Sequence, residues 1–231
     1  MAQVPAGQRC PRAQAGRVTS DGPTELPDWA VSQREHLEAS VVGRFGVHPP
    51  WCEPVGRIQF SIDPGPTFGH GGHPSTVLVL AEIDRIEPEG LSVLDVGCGS
   101  GVLAIAAALV GADPVVAIDV DPDAVAWAQF NAAANDATVD ASATPIADLE
   151  GPFDLVVVNV LPSEHESVAK DVARLTSGRL VVSGIPEEQA DVVATLYMAA
   201  GAGSLTAEHR TTCEEWTAIT FTKASPDDTG S

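Results

Sequence analysis

The sequence predicts a doubly wound α/β domain on a mostly parallel sheet, and three observations carry that prediction. Short runs that are apolar along their whole length alternate with stretches of helical periodicity from about residue 75 onward. A glycine-rich turn, D-V-G-C-G-S-G over 95–101, joins one such run to the helical stretch that follows it. An aspartate, Asp119, closes the next apolar run just before a proline-initiated helix. Strands that are apolar on both sides are buried on both faces, which is the situation of a parallel sheet covered by helices above and below. In such a sheet the ligand belongs at the carboxyl ends of the strands.

Taken in order, residues 1–45 are mixed and turn-rich, with one short amphipathic helix expected over 28–42. The first 17 residues hold three arginines but no apolar core, so they read as a flexible tail rather than a signal peptide. From Asp63 a loop rich in glycine and proline, DPGPTFGHGGHPST, runs into an apolar helical stretch. A strand over 91–96, a helix over 101–110 and a strand over 115–120 follow. Asp121 and Pro122 supply the N-cap and first position of a helix over 122–135. A third strand spans 153–160, and S-E-H-E, Ser163 to Glu166, reads as a capping box opening a helix that ends near Gly178. A strand over 179–184, a helix over 187–200 and a strand over 216–222 complete the pattern. The expected divisions are an N-terminal extension over 1–45, the main domain over 46–224 and a flexible tail over 225–231.

Composition limits the partners. With 32 acids against 12 bases the 231-residue chain carries a formal charge of −20, a surface that repels phosphate, so neither nucleic acid nor an anionic membrane is an expected partner. Val96–Ala112 is free of charge and histidine, yet it is short for a membrane span and its four glycines sit in a strand-turn-helix pattern. Cys10, Cys52, Cys98 and Cys213 show no C-x-x-C spacing, which suits a reduced, cytoplasmic setting and no cysteine-held metal.

The glycines raise the question of the cofactor. A dinucleotide turn reads G-x-G-x-x-G, whereas Gly97, Gly99 and Gly101 alternate and position 102 is Val. A register starting at Gly99 puts Ala104 third, which the looser fingerprint allows, so the glycines alone do not exclude a dinucleotide. The alternating form suits a smaller ligand whose methionine part passes over exposed backbone at Gly97 and Gly99, with Asp95 facing its ammonium group. Asp119, 22 residues after Gly97, is placed to accept hydrogen bonds from both ribose hydroxyls. Together these features fit S-adenosylmethionine.

Residues 61–223 resemble the PrmA family, bacterial methyltransferases that modify amino groups on the stalk-base protein of the large ribosomal subunit. The resemblance rests on DPGPTFGHGGHPST, LDVGCGSGVLAIAA, AIDVDPDAVAWAQFNAAAN, FDLVVVNVL, VVSGI and EEW, six segments in the family's order. It implies a seven-stranded, Rossmann-like class I methyltransferase fold, with Thr76, Gly97, Asp119 and Asn159 as the cofactor contacts. His70 and Ser75 stand where the family motif has threonines, and DASATPIADL differs from the family, so no adenine contact is assigned there. Family members carry an extra N-terminal domain that grips the ribosomal protein. Only about 60 residues precede the shared region here, so the stalk-base protein is expected to be a poor substrate.

On that resemblance Asn159, which ends the apolar run 155–158, is the candidate catalytic residue: its carbonyl would accept a hydrogen bond from an attacking amine and aim the lone pair at the methyl carbon. Displacement at a sulfonium methyl depends on alignment and an unprotonated nucleophile more than on a strong base. His70, as a neutral imidazole, is the candidate proton acceptor from an incoming ammonium. His70 and His73 form H-x-x-H, but no third ligand stands at useful spacing, and no metal is expected. The favoured function is N-methylation of a protein amine, a lysine or an N-terminal amine, on a ribosomal or other protein. A small-molecule methyltransferase and a non-catalytic S-adenosylmethionine-binding protein are the alternatives.

Overall fold

The computed structural model describes residues 22–224. Helix α1 (Asp28–Arg34) leads into a small sheet of β1 (Ser40–Val42), β2 (Phe45–His48) and β3 (Ile58–Ser61). In it β2 pairs antiparallel with β1 and parallel with β3. The helix expected over 28–42 therefore stops at Arg34, and Ser40–Val42 is a strand. Val41 and Val42 are β-branched and suit a pleated surface, and Gly43, at φ +55°, makes the turn that pairs Val42 with Phe45. The expected boundary at 45/46 passes through this sheet. The N-terminal tail, Cys10 and the tail over 225–231 lie outside the described residues.

The main domain then alternates as expected. It runs α2 (Pro74–Ile86), β4 (Val93–Val96), α3 (Val102–Leu109), β5 (Val115–Ile118), α4 (Pro122–Ala134), β6 (Asp140–Ser142), β7 (Phe153–Asn159), α5 (His165–Leu175), β8 (Thr176–Pro186), α6 (Ala190–Ala200), β9 (Leu205–Cys213) and β10 (Trp216–Lys223). The seven strands lie in the order β6-β5-β4-β7-β8-β10-β9, with β10 antiparallel to both of its neighbours and the other pairs parallel. Side chains alternate between two cores. Val93, Leu155, Val157 and Val181 face α2, α3 and α4, while Leu94, Val96, Val156, Val158, Leu180 and Val182 face α5 and α6. That alternation is why these strands read as apolar from end to end.

Local signals hold in some places and yield in others. Asp121 caps α4, its carboxylate accepting from the Asp123 amide at 2.9 Å with Pro122 at the first position. The expected capping box at Ser163 does not form. Helix α5 starts at His165, because the Glu164 carboxylate turns back to accept from the Leu161 amide at 2.9 Å. The same helix ends at Leu175 rather than near Gly178, and the chain enters β8 at Thr176, whose hydroxyl donates to the Val172 carbonyl at 2.8 Å. Gly178 lies inside β8, where a Cβ would stand 2.6 Å from the Asp154 carbonyl oxygen. Cys52 is disulfide-bonded, against the expectation of reduced cysteines, whereas Cys98 and Cys213 are free. No helix among the described residues is long and apolar enough to cross a membrane.

Candidate active site

The carboxyl ends of β4, β5 and β7 and the 63–73 loop surround a cavity of about 700 Å³. Its floor is the glycine turn after β4. Gly97 and Gly99 have φ of +72° and +51°, the left-handed region that glycine enters without steric cost. Neighbouring groups also occupy the room that a side chain at either position would need. A Cβ on Gly97 would stand 2.6 Å from Val160 Cγ1, and one on Gly99 would stand 2.5 Å from the Phe68 carbonyl oxygen.

Asp119 follows β5 and sits half-buried on the cavity wall. Its Oδ2 accepts from the Gly99 amide at 2.9 Å and its Oδ1 from the Asp121 amide at 3.0 Å, so the carboxylate is fixed in direction with lone pairs remaining on both oxygens. Asn159, the last residue of β7, donates through Nδ2 to Thr76 Oγ1 at 3.3 Å. Its Oδ1 is buried without a hydrogen-bond partner. That leaves the oxygen without a protein donor at the cavity wall.

The sequence candidates divide accordingly. Gly97, Gly99, Asp119 and Asn159 line one cavity. Thr76 is fully buried, lies off the wall and reaches the site only through Asn159. His70 is also off the wall, because its ring folds back on its own loop and Nδ1 accepts from the Gly72 amide at 3.2 Å. Burial, with the nearby His73, lowers its pKa below the usual imidazole value. Asp95, expected to face an ammonium group, stands behind the turn instead, fully buried, with Oδ2 accepting from the Ala104 amide at 3.1 Å. Burial, with the Asp119 charge, pushes its pKa up to about 7.

The histidine at the cavity is His73. It caps α2, its Nδ1 2.8 Å from Ser75 Oγ, and its ring packs edge-on between Phe68 and Trp216 at centroid distances of 5.1 and 4.9 Å. Burial lowers its pKa, opposed by Glu214. Thr144, Ile146 and Val120 also reach the wall, beside Asp119, and were not singled out in the sequence. Ile146 stands among Ala143, Pro145, Ala147 and Leu149, so nothing in the sequence sets it apart. Among the described residues no group of histidine, cysteine or carboxylate side chains could hold a metal.

The family described as ribosomal protein L11 methyltransferase (PrmA) matches residues 9–224, beginning ahead of the 61–223 stretch that carries the sequence motifs. A ribosomal protein L11 methyltransferase of Geobacter metallireducens is 38% identical over 200 residues, which are 84% of this chain and 66% of that protein. One of Myxococcus xanthus is 39% identical over 198 residues, covering 83% of this chain and 68% of the relative. The chain thus spans about two thirds of the length of these curated relatives. The crystal structure of a ribosomal protein L11 methylase from Lactobacillus delbrueckii subsp. bulgaricus superposes with a TM-score of 0.70 at 29% identity, over 79% of this chain and 96% of that one. With a family match across most of its length and a cavity built from the motifs that carry the likeness, the chain belongs to the ribosomal protein L11 methyltransferase (PrmA) family.

Proposed function

We propose that this chain is an S-adenosylmethionine-dependent methyltransferase that methylates nitrogen on a protein amine, with ribosomal protein L11 as the first substrate to test. One observation carries the reading: Asn159 ends β7 on the wall of the cavity that the glycine turn floors, its amide anchored through Nδ2 to Thr76. The residues present fit the cofactor. Gly97 and Gly99 line the cavity with backbone at positive φ, and Asp119 offers two fixed carboxylate oxygens to the ribose hydroxyls. Val120, Ile146 and Thr144 form the adjoining part of the wall, where a flat ring would rest. Bound there, S-adenosylmethionine supplies a methyl group on a sulfonium centre.

The chain's own part in the reaction is orientation. Asn159 Oδ1 accepts a hydrogen from the neutral amine, and the bond from Nδ2 to Thr76 holds the amide so that oxygen faces the substrate. The amine lone pair is then directed along the line of displacement, which accounts for most of what such a reaction needs. The His73 ring packs edge-on to those of Phe68 and Trp216, and the three form one side of the cavity. Among the described residues no lysine or arginine lines the cavity, while Asp119, Asp121 and Glu164 do, an electrostatic setting that suits a cationic cofactor and an amine.

The test is transfer of labelled methyl from S-adenosylmethionine to purified ribosomal protein L11 and, separately, to a lysate resolved into protein and small-molecule fractions. Label on L11 supports the reading. Label confined to small molecules replaces the protein acceptor with a small one, and binding without transfer to any fraction reduces the chain to a cofactor-binding protein.

A further inference from the structure

The loop that roofs the cavity, 63–73, is held at both ends by one short segment that precedes the α/β pattern. At the first end Arg34, the last residue of α1, is only 4% exposed and donates through Nε to Asp63 Oδ1 at 3.1 Å and through its second nitrogen to Asp63 Oδ2. The guanidinium lies 5.5 Å from the Trp51 ring centre and 5.7 Å from that of Trp127. At the other end the Ser40 hydroxyl donates to the Gly71 carbonyl at 3.0 Å. Only five residues, 35–39, lie between the two anchors along the chain.

What Asp63 holds in turn leads to the cavity. Its Oδ1 accepts from the Gly65 amide at 3.1 Å, and its backbone exchanges hydrogen bonds with the Asn131 side chain at 3.0 and 2.9 Å. Asn131 also donates to the Ser100 carbonyl at 2.9 Å, and Ser100 bonds back to the loop, its amide to the Phe68 carbonyl at 2.9 Å and its hydroxyl to that of Gly69 at 2.5 Å. Pro66, Thr67, Phe68 and His73 are the part of this loop that lines the cavity. Trp127 fits between the two layers, its ring filling the space where a Cβ on Gly22 or Gly65 would come within 2.0 or 2.2 Å. The connection from Arg34 to Phe68 is thus an unbroken set of short polar contacts among buried groups.

We infer that Arg34 and Ser40 are positioning residues for cofactor binding: they pin the two ends of the 63–73 loop so that the Phe68 carbonyl seats on the glycine turn and Pro66, Thr67 and Phe68 line the cavity. The inference rests on the proposed cofactor. Neither residue lines the cavity, so each acts only through the loop. Without Arg34 the Asp63 carboxylate is left buried and uncompensated, and the loop gains a reason to swing toward water. Lysine in its place keeps the charge but loses the two-pronged geometry and much of the stacking between the tryptophans.

Hydrogen exchange on the full chain without cofactor, compared among the parent, Arg34→Ala, Arg34→Lys and Ser40→Ala, tests the pinning directly. In Arg34→Ala the amides over 64–73 are expected to exchange about tenfold faster, with those of β7 and β8 within about twofold of the parent. KM for S-adenosylmethionine should rise about tenfold while kcat at saturation stays within about threefold, since the chemistry itself is untouched. Arg34→Lys should fall between parent and alanine, and Ser40→Ala should give a smaller change, about threefold, in the same direction. Unchanged exchange over 64–73 overturns the inference, and so does protection lost evenly over the whole sheet, which marks a fold defect. If Arg34→Ala does not fold, Arg34→Lys and Ser40→Ala decide by the same readouts. A parent chain that binds no S-adenosylmethionine overturns the proposed function, and the exchange comparison still decides whether the loop is pinned.

Discussion

Replacing Asn159 separates function from stability with opposite signs. In the folded chain Oδ1 is buried with no partner, and Nδ2 makes one long bond, 3.3 Å, to Thr76. Alanine removes the orphaned acceptor, a gain of about 1–3 kcal/mol, and gives up the weak bond, a loss of about 0.5–1 kcal/mol, together with some side-chain packing. The expected outcome is a fold as stable as the parent or up to about 2 kcal/mol more stable, which in a domain of this size moves the melting temperature by about 0–8 °C upward. Turnover should move the other way. Loss of an orienting contact made in the transition state, about 3 kcal/mol, lowers kcat by about 100-fold, with S-adenosylmethionine affinity changed much less. Thermal unfolding, cofactor titration and labelled methyl transfer on the same preparation check all three. A variant that loses more than about 2 kcal/mol of stability shows that Oδ1 has a partner. A variant with parental turnover shows that the reacting amine meets a different strand.

Three further outcomes follow from the same geometry. Asp119→Ala should weaken S-adenosylmethionine binding by about 1.5–3 kcal/mol, roughly 10- to 150-fold by calorimetric titration, because two charge-assisted bonds to the ribose and the brace on Gly99 go together. Gly99→Ala should abolish measurable cofactor binding, since its Cβ would stand 2.5 Å from the Phe68 carbonyl at a φ of +51°; binding within about threefold of the parent would refute the packing of loop on turn. His165 is buried against the Tyr197 hydroxyl at 3.0 Å, and desolvation pushes its pKa down from 6.5 to about 4. The unfolded chain therefore takes up the proton first, so stability is complete above about pH 6.5 and about 3 kcal/mol of it is lost as pH falls toward 4. Urea unfolding between pH 7.5 and 4.5 checks this, and His165→Gln should flatten that part of the profile.

The sequence carried the domain's architecture because its strands are buried on both faces and its helices are marked at their starts. Val93–Val96, Val115–Ile118 and Phe153–Asn159 are apolar enough to stand out from their surroundings, and Asp121 with Pro122 marks the start of α4 without ambiguity. What stayed hidden lacked those signals. The three-residue β6, D-A-S, is too short to alternate, and β9, LTAEHRTTC, is an edge strand whose middle is exposed and charged. The small sheet over 40–61 has strands of three and four residues set among prolines and glycines, so each piece reads as loop until its partners are known. Yet this sheet and the helix before it supply the anchors of the cavity roof. Long-range polar contacts such as Arg34 to Asp63 leave no periodicity behind.

The choice between His70 and His73 shows how local backbone chemistry outranks residue type. Both are histidines in one glycine-rich loop, and only His70 departs from the resembled motif, which drew attention to it. But His73 precedes Pro74, and the residue before a proline is pushed out of the helical region by the proline ring. It adopts φ −71° and ψ 137°, the extended geometry of an N-cap, and its imidazole nitrogen accepts from the Ser75 amide at 3.3 Å as a capping side chain does. That pose sets the ring between Phe68 and Trp216 at the cavity. His70 lies between Gly69 and Gly71, both at positive φ, so the chain reverses around it and its ring turns onto the Gly72 amide. Proline after one histidine and glycine on both sides of the other were visible in the sequence from the start, and they decide which imidazole meets the cavity.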